Sequence, residues 1–165
     1  MTSPSLTASK NASSLESLLR PAHFVSELRS RKKSQALEEL AVALAAAGVT
    51  RSPELLAELL REREALGSTG VGKGIAVPHA RSTLVAERSV VVARSAKGIE
   101  FDAVDGEPVH LLFLVVAPPM ERDPIYLKVL ADVVRAVRLS RTRQKLIDAP
   151  DFDTVREILN HAAAE

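Results

Sequence analysis

Arg63-Glu64-Ala65-Leu66-Gly67-Ser68-Thr69-Gly70-Val71-Gly72-Lys73-Gly74-Ile75-Ala76-Val77-Pro78-His79 is the stretch on which the fold turns. It leaves a helix, crosses a run of glycines and enters a short apolar strand, Ile75 to Val77, that stops at Pro78 and His79. The helix is announced upstream by Ser52-Pro53-Glu54: a capping hydroxyl, proline at the first helical position and an acid in the first turn. Leu56, Leu59 and Leu60 fall on one face, the helix runs to about Leu66, and Arg63 lies one turn beyond the last of them. His79 is thereby placed at a strand end, with Ser68, Thr69, the loop N–H groups and Arg63 as its local donors.

Working outward, Leu15 to Leu19 reads as a short helical piece stopped at Pro21, and Phe24 to Leu28 as a weak strand. Arg31 to Ala47 predicts a helix, because Leu37, Leu40, Ala41 and Leu44 form one apolar stripe and Gly48 sits where a C-terminal cap belongs. Downstream, Ser89 to Ala93 and Val109 to Val116 read as strands, with Ile99 to Phe101 as a possible short one and Asp105-Gly106 as a turn. The second is apolar almost throughout, which suggests burial on both faces. Pro118-Pro119 breaks it, and Asp123-Pro124 opens a helix with Leu127, Leu130, Ala131, Val134 and Val137 inward. Arg141 to Asp148 and Asp153 to Ala163 complete the helices. The simplest architecture is α/β: a mixed central β-sheet flanked by helices on both faces.

The chain has 165 residues and is 46% hydrophobic, sufficient for one domain with a sizeable core. We assign residues 1–14, rich in Ser, Thr and Ala, to a disordered tail and 15–165 to the folded domain. Lys and Arg number 22 against 21 acids, so no single-sign field argues for nucleic acid. No cysteine is present, which excludes disulfides and thiolate metal sites and fits a reducing, cytoplasmic setting. No apolar run approaches the ~20 residues of a membrane span, so no direct membrane insertion is expected. Asn11-Ala12-Ser13 matches the glycosylation pattern only by chance if the chain is not exported.

Gly67 to Lys73 imitates the nucleotide-binding loop G-x-x-x-x-G-K, but Gly74 stands where Ser or Thr would hold magnesium. The loop also opens a strand instead of a helix, so no helix N-terminus faces a phosphate. Two readings of the segment remain. One is a plain glycine turn leading to a structural histidine. The other makes His79 a nucleophile: an ordinary histidine, with a pKa near about 6.5, is mostly neutral at pH 7 and keeps a lone pair for attack. A phosphoryl group on it would bring up to about two negative charges, which Arg63, Ser68, Thr69 and the loop amides could meet.

The pattern Arg-Glu-x-x-x-Ser-Thr-Gly-x-Gly-x-Gly-Ile-Ala-x-Pro-His resembles the signature of the type-2 enzyme IIA domains of the phosphoenolpyruvate-dependent sugar phosphotransferase system, the fructose, mannitol and nitrogen-regulatory class. Ile99-Glu-Phe-Asp-Ala-Val-Asp105-Gly-Glu-Pro-Val109 followed by Leu-Leu-Phe-Leu resembles the next block of that family. The resemblance implies the fold stated above, with His79 accepting phosphate from the histidine phosphocarrier protein and passing it to a IIB domain in sugar systems. Arg63 would help hold the phosphoryl group, with Ser68 and Thr69 beside it. No cofactor, metal or nucleotide is implied.

Tyr126 is a departure, since it stands where that family commonly has a second histidine. A phenol donates a hydrogen bond but is neutral at pH 7, so Tyr126 reads either as a phosphate contact or as a half-buried aromatic. His110 reads as a strand residue, and His23 and His161 as surface residues. With no IIB or membrane segment in the sequence, the resemblance favours a regulatory phosphoacceptor with a regulatory protein target. The alternatives are a sugar-transport IIA domain and a catalytically degenerate interaction module.

Overall fold

The computed structural model describes residues 15–120 and 122–164; the expected tail of residues 1–14 lies outside them. Two 3-10 turns, Glu16–Leu18 and Pro21–His23, lead into β1 (Phe24–Val25), α1 (Lys33–Ala46) and α2 (Pro53–Ala65). Then come β2 (Gly70–Gly72), β3 (Ile75–Ala76), β4 (His79–Arg81), β5 (Ser89–Ile99) and β6 (Val109–Ala117). Helices α3 (Pro124–Ala136), α4 (Ser140–Asp148) and α5 (Phe152–Ala164) close the chain. The sheet is mixed, in order β1-β5-β6-β3-β2, with β4 also on β6. This is the expected α/β class.

Strand alternation splits the core in two. Val91 and Ala93 of β5 with Leu112, Leu114 and Val116 of β6 pack under α1 and α2. Val90 and Val92 with Leu111, Phe113, Val115 and Ala117 pack under α3, α4 and α5. Both central strands are therefore apolar on both faces, which is why β6 reads as an unbroken hydrophobic run. The α1 stripe of Leu37, Leu40, Ala41 and Leu44 is fully buried. Beyond α1, Gly48 N–H donates to the Ala45 carbonyl and Val49 N–H to that of Leu44, a Schellman closure of the helix.

Several expectations need correction. In α3 the inward residues are Tyr126, Val129, Val133 and Ala136, with Val137 buried at its end, while Leu127 and Val134 are 65% and 57% exposed. Apolar residues occur all round this helix, so two neighbouring stripes fit the period equally well. Ser52 precedes α2, but its side chain makes no cap hydrogen bond. His23 is buried, not at the surface. β5 runs on to Ile99 through an irregularity in its pairing with β6 after Arg94. The glycine stretch is itself a hairpin. Gly72 pairs with Ile75 across Lys73-Gly74, whose φ values of 58° and 79° are those of a two-residue type I′ turn. At Gly70 a Cβ would lie 2.8 Å from Ala103 Cα, so only glycine lets the hairpin approach that segment.

Candidate functional site

A proline interrupts the strand at the site. Along β6 the register is Ile75 with Leu111 and Ala76 with Leu112, then His79 with Val115 and Arg81 with Ala117. The offset never changes, but Pro78 has no N–H to give and the ladder stops between β3 and β4. The Pro78 carbonyl still accepts from Val115 N–H at 3.0 Å. The Val77 carbonyl lies 2.8 Å from Nδ1 of the half-buried His79 ring. A carbonyl can only accept, so Nδ1 carries the hydrogen and Nε2 carries the lone pair.

The register puts His79 on the Val115 side of the sheet, which α3 covers. Tyr126 meets it there, with ring centroids 6.4 Å apart. The first turn of α3 is held by Asp123, whose Oδ1 accepts the Tyr126 N–H at 3.1 Å and lies 3.2 Å from Arg88 Nη1. Burial pushes the Tyr126 hydroxyl up to about 12, with the charges of Arg81 and Arg63 pulling against it and that of Asp123 adding to it. The phenol therefore remains a neutral donor at physiological pH.

From the other face of the sheet, α2 brings Arg63 and Glu64. Arg63 is half-buried, and its Nη1 donates to the Gly67 carbonyl at 3.2 Å. Glu64 is buried and accepts the Thr69 N–H at 3.1 Å, the Thr69 hydroxyl, and Lys33 Nζ at 3.2 Å. The Thr69 carbonyl in turn accepts the Val77 N–H at 3.0 Å. Ser68 Oγ donates to the Phe101 carbonyl and accepts the Gly70 N–H, both at 3.0 Å. The structure thus brings His79 and Tyr126 together and sets Arg63 within electrostatic reach of the phenol. The Ser68 and Thr69 hydroxyls each have a protein partner of their own.

Three contributors are not singled out by the sequence reading. Arg81 lies two residues past His79, and its Cζ is 5.1 Å from the Tyr126 ring centroid. Glu64 continues the buried stripe of Ala57 and Leu60, and a carboxylate at that spacing is the signal that could have found it. Asp123 is visible only as a helix start. His110 is a strand residue of β6, its Nδ1 2.8 Å from the Ser95 carbonyl, and His161 is exposed. Among the described residues no group of three or more His, Asp or Glu side chains could hold a metal ion, and no helix is long and apolar enough to cross a membrane.

The family model for the phosphoenolpyruvate-dependent sugar phosphotransferase system, EIIA 2, matches residues 17–162. The chain belongs to this EIIA family. As an EIIA domain it is 36% identical over 127 residues to the fructose-specific EIIA component of Haloferax volcanii, covering 77% of this chain and 82% of that one. It is 34% identical over 142 residues to a nitrogen regulatory protein of Bradyrhizobium diazoefficiens, covering 86% and 92%. Among solved structures, the nitrogen regulatory protein IIA-Ntr of Neisseria meningitidis superposes with a TM-score of 0.80 at 30% identity, covering 87% of this EIIA domain and 97% of that chain.

Proposed function

We propose that this EIIA domain accepts a phosphoryl group on Nε2 of His79 from the histidine phosphocarrier protein, in the cytoplasm, and that its phosphorylation state is read by a regulatory protein partner. The observation that carries the reading is the 2.8 Å contact of His79 Nδ1 with the Val77 carbonyl, which leaves the other ring nitrogen as the nucleophile. In the step, the Nε2 lone pair attacks phosphorus, and a new N–P bond forms as the carrier's N–P bond breaks. The electron pair leaves with the carrier's imidazole, so no proton need enter or leave. Positioning and charge do the rest, as is general for phosphoryl transfer. Arg63 supplies a fixed positive charge and Tyr126 a neutral hydroxyl donor. Ser68 and Thr69 shape the hairpin that leads to the acceptor strand: Thr69 gives its N–H to Glu64 and its carbonyl to Val77, and Ser68 holds the turn against Phe101.

The regulatory reading draws on the likeness to nitrogen regulatory proteins, with coverage above nine-tenths of each of the two named above. A second reading, transfer to a IIB domain of a fructose- or mannitol-type system, draws on the fructose-specific relative. Incubation with phosphoenolpyruvate, the first enzyme of the system and the carrier is expected to place one acid-labile phosphate on the wild-type chain and none on His79→Ala. Label on His79→Ala would refute the acceptor assignment. Arg63→Ala is expected to slow uptake about tenfold or more without unfolding the chain, the loss of one charge-assisted contact. Adding a fructose-type IIB domain to the labelled chain separates the two readings: rapid loss of label to IIB favours transport.

A further inference from the structure

We propose that Arg81 is a second phosphoryl-binding residue, stacked on Tyr126 so that the group on His79 is received between two guanidiniums, those of Arg63 and Arg81. This rests on the phosphoacceptor reading above.

Three observations meet at Arg81. The first is register. His79 and Arg81 alternate with Ala80 on β4, opposite Val115 and Ala117, so both belong to the face that α3 covers, while Ala80 packs into the other core. The second is the shared ring. The Tyr126 centroid is 6.4 Å from that of His79, and Arg81 Cζ is 5.1 Å from the same centroid. Arg81 Nη1 also donates to the Met120 carbonyl at 3.1 Å, which helps fix the guanidinium plane and leaves its other N–H groups for an anion. The third is charge. Arg88 is paired with Asp123, but neither Arg63 nor Arg81 has an ion-pair partner among the described residues. Both nevertheless act electrostatically on the Tyr126 hydroxyl. Two guanidiniums with no ion-pair partner, both acting on the phenol that packs against the imidazole, give this place a positive potential suited to an anion.

A phosphoryl group on Nε2 supplies that anion. Its oxygens accept from Arg63 and Arg81, and the guanidinium of Arg81 stays charged at any physiological pH. Tyr126 then has two tasks: its ring is the platform for Arg81, and its hydroxyl is a neutral donor.

The test uses the full chain and the variants Arg81→Gln, Arg81→Lys and Tyr126→Phe. Uptake from the phosphorylated carrier is followed at limiting and saturating carrier, and the phosphoryl group is titrated by 31P NMR. Arg81→Gln is expected to lower the saturated rate about tenfold and to raise the second pKa of the bound phosphoryl group, because a nearby cation favours its dianion. Arg81→Lys should recover part of both effects. Tyr126→Phe keeps the platform but removes the hydroxyl donor, so it should raise the second pKa of the phosphoryl group less than Arg81→Gln does. A higher KM for the carrier in Arg81→Gln, with the saturated rate and the 31P titration unmoved, would make Arg81 a docking residue and overturn the proposal. Failure of the wild-type chain to take up label on His79 would instead remove the reading on which it rests.

Discussion

Glu64 and Arg63 are neighbours on α2, yet their side chains serve different purposes. Arg63 donates to the Gly67 carbonyl and lies within electrostatic reach of the Tyr126 hydroxyl, whereas Glu64 turns inward and accepts from Thr69 and Lys33. With its side chain 3% exposed and that of Lys33 18%, removing the carboxylate leaves a largely desolvated cation and an unpaired N–H. Glu64→Ala is expected to cost about 3 kcal/mol in urea unfolding. Because Thr69 holds Val77 and Val77 holds His79, phosphoryl uptake should slow as well. Glu64→Gln keeps an acceptor for Thr69 and should fall between the two. At this scale His79 and Arg63 were legible as candidates because their residue types carry chemistry in a specific pattern. Arg81 was not, because the three-residue strand that aligns it with His79 follows a proline and has no pattern long enough to see.

Elements with one apolar stripe were read well, and those without one were not. In α1 all four stripe residues point inward. In α3, Ile125, Leu127 and Val134 are exposed beside a buried set shifted by one position, so periodicity alone could not choose between them. β2 escaped notice because Gly70-Val71-Gly72 offers a single side chain to alternate. β5 holds a connection that no local pattern signals. Arg94 Nη1 donates to the carbonyls of Leu146, Ile147 and Ala149 at 3.0, 3.2 and 2.7 Å, and Nε donates to that of Ser26 at 3.1 Å. Its Cζ also lies 5.1 Å from the Phe24 ring centroid. One cation thus closes the C-terminal end of α4 and ties it to β1 and β5. Arg94→Met, which keeps the apolar stem, is expected to lose about 2 kcal/mol of stability by thermal or urea unfolding, with exchange protection falling first in the last turn of α4.

Across the whole molecule, the overall layering was legible from β6, whose continuous hydrophobicity requires cover on both faces. The burial of His23 was not, because an isolated histidine in a turn carries no sign of what folds over it. Burial lowers its pKa, with Arg20 acting in the same direction and Glu87 and the backbone opposing, and its Nδ1 has no hydrogen-bond partner among the described residues. The folded chain therefore holds this ring neutral, while the unfolded chain takes up a proton near the ordinary value of about 6.5. The stability this provides is complete above that pH and is lost as pH falls toward the lowered folded value. Urea midpoints measured from about pH 7.5 down to about 5.5 should decline more steeply for the wild-type chain than for His23→Phe. Parallel declines would show that His23 is not the group responsible. The division of the interior by the sheet also bears on how a modification at His79 is felt. Arg63 belongs to the helices over one face and Tyr126 to those over the other, with the histidine strand running between them. A charge added to that ring would act as a rivet through the slab, drawing two otherwise independent layers onto one point. A partner resting against either side would then sense the same event.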